Sequence, residues 1–242
     1  VISKREMSAV ARFMAELWEN NSKEWFDTQR ERYQKEVRDL VRELAVELYG
    51  PVAAMHPRLD GKPVISRINN DLRFHKNKSP YKEHVWISFG SKCEAELFVA
   101  VSRSGWCSGA MISANAKEGI GFWRKNLIQH RDLWDRWAKA VKLGNEVTVW
   151  PENQYRKPLF ENVPEDVYPL VQSKQLYLTD KTKINIPIDP VQWLADGIAM
   201  LLPAYLFMTT APTSLPAVLE DLGGVIPPMG ERSSKVFQVL GG

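Results

Sequence analysis

Near the amino end the hydrophobic positions recur with a helical period. Val10, Phe13, Met14, Leu17 and Trp18 fall at i, i+3, i+4, i+7 and i+8, which predicts an amphipathic helix with these side chains on its core face. Asn20 and Asn21 end it, and Asn21 with Glu24 three residues on reads as a capping box for a second helix. In that helix Tyr33, Val37, Leu40, Val41, Leu44 and Leu48 form the buried stripe, the opposite face is laced with Arg and Glu, and Gly50-Pro51 is the expected end.

From Gly61 to Thr148 the period changes to two. His84–Phe89 alternates Val85, Ile87 and Phe89 against His84, Trp86 and Ser88, residues 95–102 alternate in the same way, and a third run follows the Ser104-Gly105 turn. This is the pattern of an antiparallel meander in which Cys107 stands opposite about residue 100. Helical spacing returns over Lys117–Leu143 with a break near His130, and Trp123, Trp134, Trp137 and Val141 sit at core positions. Val147–Trp150 and Leu176–Leu178 read as further strands, separated by a proline-bearing loop and a short helix begun by Pro164. Asp189-Pro190 marks a last helix, with Asp as N-cap, and Pro203 is expected to kink or end it. The expected fold is therefore α+β: residues 1–211 as a single domain with N-terminal, middle and C-terminal helices packed on an antiparallel sheet, and residues 212–242 as a Pro/Gly-rich tail wrapping it.

Composition narrows the function classes. A chain of 242 residues with 44% hydrophobic and 25% charged side chains can build a core, which excludes disordered and disulfide-stapled classes. The longest apolar run, Gly197–Met208, contains a proline and falls short of the roughly 20 residues that span a bilayer, so a buried helix and no membrane partner are expected. No leader-like segment opens the sequence, and Cys93 and Cys107 do not form a disulfide framework, so the expected setting is reducing and cytoplasmic. The histidines at 56, 75, 84 and 130 and two isolated cysteines give no tetrahedral metal set, and no nucleotide or flavin fingerprint is present, so no metal or cofactor is expected. No internal repeat is visible, and the sequence does not give the oligomeric state. Nine tryptophans are well above average usage; Trp18, Trp123 and Trp137 read as core, whereas Trp86 and Trp106 read as candidates for ligand contact.

Charge changes the picture most. The formal net charge is only +3, but Lys62–His84 holds six Lys and Arg against two acids, so the whole excess lies in one stretch. If Arg67–His75 is extended, Arg67, Asn69, Asp71, Arg73 and His75 share one face, with Ile68, Leu72 and Phe74 on the other. Asp71 between Arg67 and Arg73 would fix their guanidinium forks for a carboxylate or phosphate. Lys78, Tyr81 and Lys82 add donors in the following turn, and His84 shares a strand face with Trp86.

The run from Arg67 through Asp71, Arg73, Phe74, Lys76, Lys78, Pro80, Tyr81 and Lys82 to His84 resembles the signature of an uncharacterised family, domain of unknown function 2461. An element Asn20-Asn21-Ser22-Lys23-Glu24-Trp25-Phe26 followed by Tyr33 matches the same family in the same order, and the resemblance covers about residues 8–208. Asn70, His75 and Asn77 stand where the family pattern has Arg, Ser and Asp. The resemblance implies an α+β fold and a shared polar site, and no particular reaction. Trp25-Phe26, near a helix start, either closes that site from the other side or packs in the core, and Asn21 and Trp25 are taken as candidate ligand contacts.

Three functions fit these residues. The first is a basic cleft on residues 67–84 that binds a small anionic or polar ligand through Arg67, Arg73, Lys78, Tyr81, Lys82, Trp86, Asn21 and Trp25. If that cleft belongs to a hydrolase or transferase, His84 is the acid or base and Asp71 its orienter or the base itself. The second is a nucleic-acid-binding module with lysines on phosphates and tryptophans for stacking. The third is an interaction or scaffold domain in which the Arg/Asp alternation is a structural ion-pair ladder.

Overall fold

The chain enters its first helix through a complete capping box, in which Ser3 Oγ accepts from the Glu6 N–H and Glu6 Oε2 accepts from the Ser3 N–H at 2.8 Å. The computed structural model describes residues 2–71, 73, 79–183 and 185–225. Helix α1 (Lys4–Glu19) buries Met7, Val10, Phe13, Met14 and Leu17, as its periodicity predicts. Trp18 departs from the prediction: it lies on the flank of that stripe, is 40% exposed, and carries the Arg103 guanidinium 3.8 Å above its ring.

Helix α2 (Lys23–Thr28) is capped by Ser22, whose hydroxyl accepts from the Trp25 N–H at 3.2 Å, and not by Asn21 as expected. The Asn21 carboxamide is committed to Tyr81. A single turn, α3 (Arg30–Arg32), leads into a π-helical turn at Tyr33–Arg38 and then α4 (Asp39–Ala53). Val37, Leu40, Val41, Leu44 and Leu48 are buried along it as the stripe predicts. Gly50-Pro51 does not end this helix: Val52 is fully buried, the Ala54 N–H still reaches Gly50 O at 3.1 Å, and the proline removes only one donor within the last turn. A 3-10 turn at Pro57–Leu59 follows, capped by His56, whose imidazole accepts from the Arg58 N–H at 3.2 Å.

Among the described residues six strands form one antiparallel sheet: β1 (Val64–Ile65), β2 (His84–Gly90), β3 (Glu96–Ser102), β4 (Gly105–Ile112), β5 (Val147–Glu152) and β6 (Gln175–Asp180). Their spatial order is β1-β2-β3-β4-β6-β5. The expected meander is β2-β3-β4, and Ala100 stands opposite Cys107. Register puts Val85, Ile87 and Phe89 on the same face as Val101, Val99 and Leu97 and as Trp106, Ser108 and Ala110. Helix α1 and the long α8 (Pro190–Thr209) both cover this face: Trp106 Nε1 donates to Met7 O at 2.9 Å, and a Cβ on Gly197 would collide with the Ser108 side chain. Trp106 is therefore a core residue, 1% exposed, and not the ligand contact its strand position suggested.

Helices α5 (Lys117–Gln129) and α6 (Arg131–Ala140) meet at His130, where the break was expected, and pack Trp123, Trp134 and Trp137 into the core around Phe207. A five-residue helix, α7 (Tyr168–Gln172), precedes β6. By length and composition α8 could cross a membrane, but 89% of its most apolar window is buried inside the protein. Pro203 neither ends nor interrupts its run to Thr209, because packing on nearly every side outweighs the cost of an interior proline, about 3 kcal/mol for the lost hydrogen bond and the ring's clash with the preceding turn together. Helix α9 (Leu215–Val225) opens the segment expected as a tail, and its Leu215, Leu219 and Leu222 join the core.

Candidate functional site

The strand expected over Arg67–His75 is not formed in its described part. Beyond β1 the chain makes only an isolated bridge, Asn69 to Tyr81, flanked by Asn70 N–H to Pro80 O at 2.9 Å and Lys82 N–H to Ile68 O at 2.7 Å. Pro80 has no N–H to extend the ladder, and the Asn70 amide donates to both Ser79 O and Tyr81 O at 2.9 Å, taking carbonyls a strand would use. Over 67–69 the predicted alternation does hold, with Arg67 and Asn69 exposed and Ile68 buried.

This short pairing is clamped from the far end of the sequence. Asn21 Nδ2 donates to Tyr81 O at 2.9 Å while Asn21 Oδ1 accepts from the Tyr81 N–H at 3.1 Å. The Tyr81 ring then stacks on Phe26 at 3.9 Å between centroids, and Phe26 contacts Tyr33 at 5.1 Å. The two motif regions are thus joined by one asparagine and one aromatic stack.

Between them lies a cleft of about 430 Å³. One wall is α3, the π-helical turn and the start of α4, which present Arg30, Tyr33, Gln34, Val37, Arg38, Val41 and Arg42. The other is Ile65–Asn69 with Tyr81 and Val85. Tyr33 and Gln34 lie four residues before Val37 and Arg38 across the π turn, so the two pairs share the side that faces the cleft. Burial pushes the Tyr33 phenol above its ordinary value, and the charges of Arg38 and Arg42 pull it partly back.

Arg30, Arg38, Arg42 and Arg67 line the cleft, and no carboxylate is among its described lining residues. Arg30 pairs with Asp27, and Arg42 with Asp39 at 3.5 Å between two exposed side chains. Arg38 donates to Gln34 Oε1 at 3.1 Å; neither it nor Arg67 forms an ion pair among the described residues. By periodicity alone the helix arginines belong to the solvated Arg/Glu face, which does not single them out. A signal was present in the four-residue spacing Arg30, Gln34, Arg38, Arg42 along the border of the buried stripe.

Of the described residues expected at the site, only Arg67 and Tyr81 line this cleft, and Asn21 positions Tyr81. Trp25 packs on Phe13 at 5.8 Å. His84 and Trp86 alternate with Val85 and face the opposite side of the sheet, with their rings 5.2 Å apart and Lys82 Nζ 4.5 Å over Trp86. The His84 imidazole is held below its ordinary value first by the protein crowded around it and then by Lys82. Lys82 is itself lowered by desolvation and by Lys92 and Arg67. Asp71 holds Arg73 in a two-pronged pair at 2.9 and 2.7 Å, with both side chains exposed. His75 and Lys78 lie outside the described residues.

No group of three His, Cys, Asp or Glu able to hold a metal occurs among the described residues. Both cysteines are free thiols; burial, then the Asp180 charge, pushes Cys107 up to about 12.

A family model described as a conserved hypothetical protein, DUF2461, matches residues 9–203. The chain belongs to the DUF2461 family. No curated protein matches it. The matched DUF2461 range contains every residue of the cleft, the Asn21–Tyr81 clamp and the Asp71–Arg73 pair.

Proposed function

We propose that the protein binds a small anionic ligand in the cleft between the π-helical turn and residues 65–69. The observation that carries this reading is the unbalanced charge of the lining: four arginines, no described carboxylate, and two guanidinium groups, Arg38 and Arg67, without a described acidic partner. Guanidinium forks suit carboxylate and phosphate oxygens geometrically, and a low-dielectric wall such as Val37, Val41, Ile68 and Val85 strengthens each such contact. A cleft of about 430 Å³ is the size of a small-molecule site, which favours a small ligand over a nucleic-acid duplex.

Calorimetric titration of pyrophosphate into the wild-type chain, Arg38→Ala and Arg67→Ala tests this. Saturable binding by the wild type, weakened at least about tenfold in each variant with melting temperature unchanged, supports the reading. Binding that is equal in all three, or absent from the wild type, overturns it.

A further inference from the structure

The cleft's arginines are strung out rather than gathered at a point. Arg38 and Arg42 are four residues apart on one helical wall, a rise of about 6 Å, and Arg67 stands on the facing wall. Arg30 continues the same row about two turns further back, but its guanidinium is already shared with Asp27 and lies 5.8 Å from the Phe26 ring centroid. Three positions are thus open to an anion. Arg38 and Arg67 are not ion-paired among the described residues, and Arg42 holds Asp39 only through one 3.5 Å contact in solvent, a pairing worth little.

We infer that the ligand class is a linear oligophosphate, either a free chain or the phosphate tail of a nucleotide, lying along the row with one phosphoryl group between Arg38 and Arg67 and the next reaching Arg42. This rests on the reading of the cleft as an anion site and adds the shape of the anion. A single phosphate between Arg38 and Arg67 would leave Arg42 unused about one turn away. A chain places charge at both positions and keeps each phosphoryl group within reach of a guanidinium fork. Besides the arginines, the described polar lining side chains Tyr33, Gln34, Ser66 and Asn69 all carry donors and none is an anion, which matches the acceptor-only periphery of a phosphate chain.

The test measures binding of orthophosphate, pyrophosphate, tripolyphosphate and a nucleoside triphosphate to the full chain by calorimetry at constant ionic strength. Affinity is expected to rise about tenfold from orthophosphate to pyrophosphate, whose second phosphoryl group reaches Arg42, and to be kept by tripolyphosphate. Arg42→Gln should remove most of the gain of pyrophosphate and tripolyphosphate over orthophosphate while weakening orthophosphate much less, and Arg42→Lys should restore part of it. Arg42 is exposed, so both variants are expected to melt with the wild type. A nucleoside triphosphate binding tighter than tripolyphosphate assigns the chain to a nucleotide tail, and the reverse assigns a free chain. Equal affinity across the phosphate series, or a tripolyphosphate affinity untouched by Arg42→Gln, overturns the oligophosphate inference while leaving an anion site at Arg38 and Arg67. Absence of binding to every member overturns the anion site itself.

Discussion

Asn21 grips the backbone of Tyr81 from both sides, donating to its carbonyl at 2.9 Å and accepting from its N–H at 3.1 Å, and so does the work of a neighbouring strand across sixty positions of sequence. Tyr81 in turn holds Phe26 in the only stack closer than 4 Å among the described aromatic pairs. The helical and loop walls of the cleft are therefore fixed to each other by a carboxamide that no other side chain of that length reproduces.

Asn21→Asp is the informative change. A carboxylate of the same size can still accept from the Tyr81 N–H but faces Tyr81 O with an acceptor, so one bond becomes a repulsion. Chemical denaturation should show a loss of about 1–3 kcal/mol, as large as or larger than that of Asn21→Ala, and pyrophosphate affinity should fall with it. A loss confined to Asn21→Ala would show that the clamp is packing rather than hydrogen bonding.

Two tryptophans exchange the places their sequence positions suggested. Trp106→Phe leaves Met7 O without its 2.9 Å donor in the core and should cost about 1–3 kcal/mol. Trp18→Ala removes an exposed ring under Arg103 and should cost about 0.5–1 kcal/mol. Urea midpoints of the two variants check the order.

Mild acidification should destabilise the fold. Burial holds His56 below its ordinary 6.5, with Arg58 adding to the effect. The unfolded imidazole therefore takes its proton first as pH falls. Stability is full above about pH 6.5, declines as pH drops from there to the folded value, and levels off below it; His84 acts in the same direction. His56→Asn keeps an acceptor for the Arg58 N–H at the cap and should flatten part of the slope between pH 6.5 and 5 in denaturation curves, since its side chain does not titrate.

One thiol should react and one should not. Cys93 is exposed, whereas the half-buried Cys107 thiol is pushed up to about 12 and is almost entirely protonated at pH 8. Titration with a chromogenic disulfide should count one fast thiol per native chain and a second only in denaturant. Two fast thiols would contradict the burial of Cys107.

What the sequence determined by itself was periodic. The α+β class, the β2-β3-β4 meander with Ala100 opposite Cys107, the break at His130 and the Asp189 cap follow from local spacing and capping chemistry, which need no distant partner. Motif order likewise pointed to the DUF2461 family. The concentration of positive charge at residues 62–84 led to Arg67 and Tyr81, but alternation could not show that Val85 faces the cleft while His84 and Trp86 face away from it. Only tertiary structure decided that Asn21 reaches Tyr81 and not its own helix, that Trp18 is surface and Trp106 core, and that Arg38 and Arg42 stand across a gap from Arg67. Each of these depends on which element lies opposite a side chain, and that is set by long-range packing rather than by the spacing of residues along one segment.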